Sequence, residues 1–98
     1  PTTIVSVSLS ENSTALISVK AVAYRTGGAS RGGWDYSQVW YRIGSGTATL
    51  QGSTVAAVQE VGGYTITFTA SAGNVLIQGT GAASETVNWH AFAAVVRT

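Results

Sequence analysis

Residues 64–70 read Y-T-I-T-F-T-A, with apolar side chains at the even positions and threonine at the odd ones. Side chains of a β-strand point alternately to its two faces, so this pattern predicts a strand with one apolar and one polar face. Residues 2–10 alternate in the same way. The two stretches indicate a protein built from half-buried β-strands.

The rest of the chain continues this pattern, with glycine-rich turns between the strands. Further strands are predicted at residues 15–25, 36–43, 47–51, 75–78 and 86–96, while residues 54–61 fit either a strand or a short helical turn. Apolar residues do not recur at helical spacing over ten or more positions, and glycine provides the backbone conformations that tight turns need.

The length of 98 residues leaves room for one domain. We therefore predict a single domain over residues 1–98, an all-β antiparallel β-sandwich of jelly-roll or immunoglobulin-like type, with about seven or eight strands.

The composition predicts association with other chains. Hydrophobic residues make up 45% of the chain and charged residues only 9%, against a usual charged share of about 25%. A domain this small has limited stability alone, and the absence of cysteine rules out disulfide bonds and thiolate metal sites. We expect a homo-oligomer, with a trimer favoured.

Charge and hydropathy argue against two kinds of partner. The five basic residues are scattered along the chain rather than clustered, so binding to nucleic acid is not expected. No stretch approaches 18 uninterrupted apolar residues, so no membrane contact is expected either.

Chemistry-bearing residues are few and dispersed. His90 is the only histidine, and the four carboxylates lie in different segments, namely Glu11, Asp35, Glu60 and Glu85. His90 and Asp35 are not accompanied by a G-x-S-x-G nucleophile motif. We therefore expect a protein that is not an enzyme and has no catalytic residues, no metal and no cofactor.

The last predicted strand has two apolar faces. Residues 86–98 read T-V-N-W-H-A-F-A-A-V-V-R-T, and alternation assigns Trp89 and its neighbours at odd positions to the core. His90, Phe92 and Val96 then lie on the opposite face, which is normally polar in a solvated sheet. Either another part of the domain or a second subunit covers them. The low charge favours a subunit interface, for which the candidate residues are Tyr24, His90, Phe92 and Val96.

Residues 27–34 read G-G-A-S-R-G-G-W and are predicted to form a mobile loop. The candidate residues for contact with an outside molecule are in or near this loop: Arg31, Trp34, Tyr36 and Trp40. Aromatic side chains are common anchors for glycans and peptides. The alternative for Trp34 and Trp40, internal packing or packing between subunits, is favoured because one face of this strand has to be core.

A resemblance to a known family adds to this interpretation. The stretch G-T-G-A-A-S-E-T-V-N-W-H-A at residues 79–91 lies within residues 75–98, which resemble the carboxy-terminal module of many virion proteins of tailed bacteriophages. A-V-A-Y-R-T at residues 21–26 resembles a strand end of the same family, although Gly27 and Gly28 stand where the family often has acidic residues.

The resemblance implies a structural part of a phage particle, either in a tail fibre or spike or on the capsid surface as a decorating protein. The expected location is the virion, after assembly in the host cytoplasm, and the expected partners are other virion proteins. The alternative is a receptor-binding or carbohydrate-binding module at a fibre tip, which would contact a host-surface glycan or receptor.

Overall fold

The computed structural model describes all residues from 1 to 98 and confirms the all-β fold. It contains seven strands and no helix: β1 (Thr2–Ser8), β2 (Ser13–Arg25), β3 (Arg31–Arg42), β4 (Thr49–Val61), β5 (Thr65–Ser71), β6 (Asn74–Thr80) and β7 (Val87–Arg97).

The strands form two antiparallel sheets that pack face to face as a sandwich. The three-stranded sheet has the order β1-β6-β5, and the four-stranded sheet has the order β4-β3-β2-β7. Strands β2, β3 and β4 follow one another as a meander, whereas β7 returns to pair with β2. The chain therefore crosses between the sheets three times.

The core lies between the sheets and is small. Its fully buried side chains come from β2, from β6 and from the start of β5: Ile17, Val19, Tyr64, Val75 and Ile77. Only 18 of the 98 residues are buried. Hydrophobic stabilisation scales with the apolar area removed from water, so the hydrophobic contribution to the stability of this sandwich is small.

Two tryptophans enlarge this core because glycines make room for them. The rings of Trp34 and Trp89 lie 5.6 Å apart between centroids. A Cβ atom at Gly79 would stand 2.7 Å from the Trp89 ring, and one at Gly32 would overlap the Trp34 indole. These two glycines are therefore strand residues on which an aromatic ring packs.

The structure corrects the predicted extent of β3. This strand begins at Arg31, five residues before the predicted start, so the loop predicted at residues 27–34 is limited to residues 26–30. Gly32 and Gly33 suggested a turn, but they continue the strand and pair with Ala23 and Val22.

The structure also joins two predicted segments, residues 47–51 and 54–61, into the single strand β4. A bulge at Gly52, whose φ is 74°, keeps the strand continuous. Residues 52–54 lie opposite Gln38 alone, so β4 carries two more residues than β3 at this point. The buried Gln38 amide spans the bulge: it donates to Thr54 Oγ1 at 2.7 Å and accepts from Trp40 Nε1 at 2.8 Å.

The two long sides of the sandwich differ. On one side β1 lies against β7, and Arg97 Nη1 donates to the Ser8 carbonyl at 2.5 Å. On the other side the ring of Phe68 packs on Tyr36 of β3, with centroids 6.0 Å apart. Strand β4, which lies beyond β3, has every residue exposed and overhangs the core.

Candidate assembly surface on the four-stranded sheet

The exposed face of the four-stranded sheet, which we call the outer face, follows from the alternation in β2. Ile17, Val19 and their neighbours at odd positions are buried, so Leu16 and Val22 point away from the core. The strand register places Leu16 between Val39 and Val96. An apolar row thus crosses three strands on the side that a solvated sheet normally keeps polar.

The apolar side chains of this face are strongly exposed. Phe92 is 67% exposed and Val96 71%, although both belong to a strand whose other face packs on the core. Further exposed apolar residues of the outer face lie on β2 and β4: Leu16, Val22, Tyr24, Val55 and Val61. Two polar pairs, Ser18 with Ser37 and Lys20 with Asp35, lie between the apolar residues at the two ends of the face. Exposed apolar side chains grouped on one face mark an interaction site more often than scattered single residues do.

The four residues predicted for a subunit interface all lie on this face. His90, Phe92 and Val96 follow one another on β7, and Tyr24 stands beside Asn88 on the adjacent strand. The alternative that another part of the domain covers Phe92 and Val96 is wrong, since both are exposed. The alternation that assigned the odd positions of β7 to the core is confirmed.

The four residues predicted for an external contact do not form one exposed surface. Trp34 and Trp40 are 4% and 5% exposed and point into the core, so internal packing is the alternative that holds for them. Tyr36 is half-buried against Phe68. Only Arg31 is exposed, and its guanidinium donates to the Ala29 carbonyl at 2.8 Å.

The charges of the outer face largely cancel. Lys20 Nζ lies 2.8 Å from Asp35 Oδ2, at the centre of the sheet and in the same row as Phe92. An ion pair this exposed contributes about 0–1 kcal/mol to stability. Its consequence for association is that the middle of the face carries no net charge.

A depression interrupts the outer face above Gly33. A Cβ atom placed there would meet nothing within 4 Å. The concave surface around it has a volume of about 1150 Å³ and is lined in part by Val22, Tyr24, Val61 and His90. Apolar atoms make up the larger part of its exposed lining, as they commonly do in binding surfaces.

The carboxylates have structural positions away from one another. Glu60 Oε2 accepts the backbone N–H groups of Gly63 and Tyr64 at 2.7 and 3.2 Å, and so closes the turn after β4. Glu85 accepts the Tyr64 hydroxyl and lies 3.6 Å from Arg25 Nε. Across the chain, no group of three or more His, Asp or Glu side chains could hold a metal ion.

The Tyr64 hydroxyl is the one group with a clear electrostatic perturbation. Burial, followed by the hydrogen bond to Glu85, raises the pKa of the phenol above its usual value of 10.0. The phenol is neutral at physiological pH and donates its proton in the hydrogen bond to Glu85. It ties the start of β5 to the loop before β7.

The free edge of β4 was missed by sequence reasoning. Residues 49–61 contain one charged residue and no proline, which was a usable signal, but the glycine at position 52 divided the segment in two. The depression above Gly33 was missed because the two glycines were assigned to a turn.

Comparison with known proteins gives no indication of function, so the functional argument rests on the fold and on the outer face. No family model, no curated protein and no solved structure matches the chain. The structure contains no helix that is long and apolar enough to cross a membrane.

Proposed function

We propose that this chain is a non-enzymatic structural protein of a phage virion, which self-associates and decorates or stabilises the particle, either on the capsid surface or in the tail or a fibre. The observation that carries the self-association is the exposure of Phe92 and Val96, at 67% and 71%, on a sheet face that also exposes Leu16 and Val22. The resemblance of residues 79–91 to tailed-phage virion proteins supports the setting.

The energetics favour a contact that uses several of these side chains together. Full burial of one Val, Leu or Phe side chain contributes about 1.5–3 kcal/mol. Association costs roughly 4–15 kcal/mol in lost translational and rotational freedom. No single residue outweighs that cost, so a stable contact has to bury several side chains at once, such as Leu16, Val22, Phe92 and Val96 on each of two copies.

The electrostatics also favour contact between copies. Lys20 and Asp35 neutralise each other, so Arg31 is the one full charge that remains on each outer face. With a formal net charge of +1, the whole chain has almost none of the long-range repulsion that keeps many small proteins apart.

The alternative function is a carbohydrate- or receptor-binding module, and the tryptophan side chains that suggested it are buried. Trp34 and Trp40 were its aromatic anchors, and both lie in the core. From the sequence, this alternative requires exposed aromatic residues around positions 27–40.

Sedimentation velocity at micromolar concentration tests the self-association. We expect the native chain to sediment as an oligomer, and Phe92→Asp to lower the oligomeric fraction at least tenfold while the fold is retained by circular dichroism. The matched control is Thr67→Asp, which places the same charge on the exposed face of the other sheet. A native chain that stays monomeric, or an equal effect of both substitutions, would contradict the proposal.

The virion setting has its own test. We expect mass spectrometry of purified phage particles to detect the chain, and a reconstruction of the particle to place its outer face against protein. If purified particles lack the chain while the isolated protein still associates, the phage setting fails and the assembly role remains.

A further inference from the structure

We infer that the free edge of β4 pairs in antiparallel orientation with the same edge of a second copy of this chain, which joins the two four-stranded sheets into one continuous sheet. The inference rests on the proposed function in one respect: both require self-association. It goes further by naming the strand, the orientation and the symmetry of the contact.

The first support is the state of the edge itself. An edge strand presents unpaired backbone N–H and C=O groups, which form a template for another strand. All 13 residues of β4 are exposed on both faces of the sheet. The opposite edge of the same sheet, β7, is flanked by β1 and tied to it by the hydrogen bond between Arg97 and Ser8.

The second support is that β4 has few of the usual protective features. Proteins block free edges with lysine, proline, inward-pointing charges or bulges. Strand β4 has no Lys, Arg or Pro. Its bulge at residues 52–54 leaves residues 55–61 in regular register with β3, and its one core-side charge, Glu60, is bonded to the turn that follows the strand. Residues 55–61 read V-A-A-V-Q-E-V, a run with high strand propensity and one charge.

The position of that one charge favours antiparallel over parallel pairing between two copies. Glu60 is held near the end of the strand, where its carboxylate accepts the N–H groups of Gly63 and Tyr64. A two-fold axis through the middle of residues 55–61 places the two Glu60 side chains at opposite ends of the pair. Parallel pairing in register would set them side by side, and like charges directly opposite are destabilising.

The third support is continuity with the outer face. Val55, Ala57 and Val61 extend the apolar face onto β4, so edge pairing merges two outer faces into one surface of twice the width. On the core side of the sheet, the overhanging Ala56 and Val58 of the two copies come side by side and lose contact with water. A contact between identical edges is isologous, which is the commonest arrangement in protein dimers.

Single-cysteine variants provide the test, because the native chain has no cysteine. A disulfide forms only when the two Cα atoms lie about 4.4–6.8 Å apart. We would make seven variants, each with cysteine at one of residues 55–61, and oxidise them mildly alone and in equimolar pairs. Mass spectrometry would then detect a shift from 10.0 kDa to twice that mass.

Antiparallel two-fold pairing predicts a specific pattern. One position, the residue on the axis, crosslinks with itself. Every other position crosslinks only with the position that lies equally far on the other side of the axial residue. The two residue numbers of such a mixed pair therefore add up to twice the number of the axial residue. Thr67→Cys, on the exposed face of the other sheet, is the control and is expected to remain at 10.0 kDa.

Three results would overturn the inference. Self-crosslinking at every position would indicate parallel pairing, and a native oligomer whose variants never crosslink would indicate assembly by the outer face alone or a foreign strand at the edge. A closed trimer, the oligomer that the sequence analysis favoured, has no two-fold axis, so a trimer would also exclude the contact. Each of these leaves self-association intact, whereas a monomer under all conditions removes the proposed function as well.

Discussion

The indole of Trp89 packs directly on the backbone of Gly79, so that a Cβ atom at position 79 would stand 2.7 Å from two carbons of the ring. This contact joins β6 of one sheet to β7 of the other. It fixes the distance between the sheets at the end of the sandwich where Tyr64 also meets Trp89, with ring centroids 6.0 Å apart.

Gly79→Ala is expected to destabilise the fold by about 1–3 kcal/mol, because the added methyl group forces the Trp89 ring or the backbone to move. Urea unfolding followed by tryptophan fluorescence measures the change. The matched control is Gly33→Ala, where the methyl group meets nothing within 4 Å. We expect the control to be neutral or slightly stabilising, since glycine inside a strand costs about 0.5–1 kcal/mol relative to alanine. Equal losses in both variants would contradict the packing argument.

Gln38→Leu is expected to cost about 1–3 kcal/mol, because it leaves the buried Trp40 Nε1 group without its acceptor. It also removes the bond to Thr54 that holds the bulge of β4. Hydrogen exchange of β4 amides should therefore accelerate more than that of β6. Thr54→Val, which removes only the second bond, is the control and should cost less; the reverse order of the two losses would show that Gln38 does not organise the bulge.

The Tyr64 phenol gives a prediction for alkaline pH. The unfolded chain loses this proton near pH 10, whereas the folded chain holds it to a higher pH because burial and the bond to Glu85 raise its pKa. Titration of this phenol should therefore leave the free energy of unfolding unchanged below pH 10. As the pH rises from 10 toward the pKa of the folded state, the free energy of unfolding should fall.

Tyr64→Phe tests that dependence. The variant should be less stable than the native chain at neutral pH, because Glu85 loses a donor, but its stability should decline less above pH 10. Urea unfolding at a series of pH values from 7 to 11 measures both effects. Parallel curves for the two proteins would show that the phenol does not titrate differently on folding.

Sequence reasoning succeeded where alternation was regular and uninterrupted. The core-facing positions of β5 and β7 were predicted correctly from alternation, which also placed Phe92 and Val96 on the opposite face. Whether the domain itself covers these two residues was left open by the sequence, and the structure shows both exposed. The number of strands followed from the turn residues between them.

Sequence reasoning failed where glycine has a role other than forming a turn. Gly32 lies in a strand because the Trp34 ring occupies the space above it, and Gly52 forms a bulge without ending β4. Both effects depend on contacts between residues on different strands or on the local register, which a single sequence does not reveal. The burial of Trp34 and Trp40 was the favoured prediction, because one face of β3 has to be core, and the structure places both side chains there.

The two long edges of the four-stranded sheet differ in their surroundings. Strand β4 is exposed along its whole length, whereas β7 lies next to β1 and is linked to it by the hydrogen bond between Arg97 and Ser8. Pairing between two β4 edges occupies that edge in both chains. Edge pairing through β4 alone therefore closes at two chains and does not build a filament.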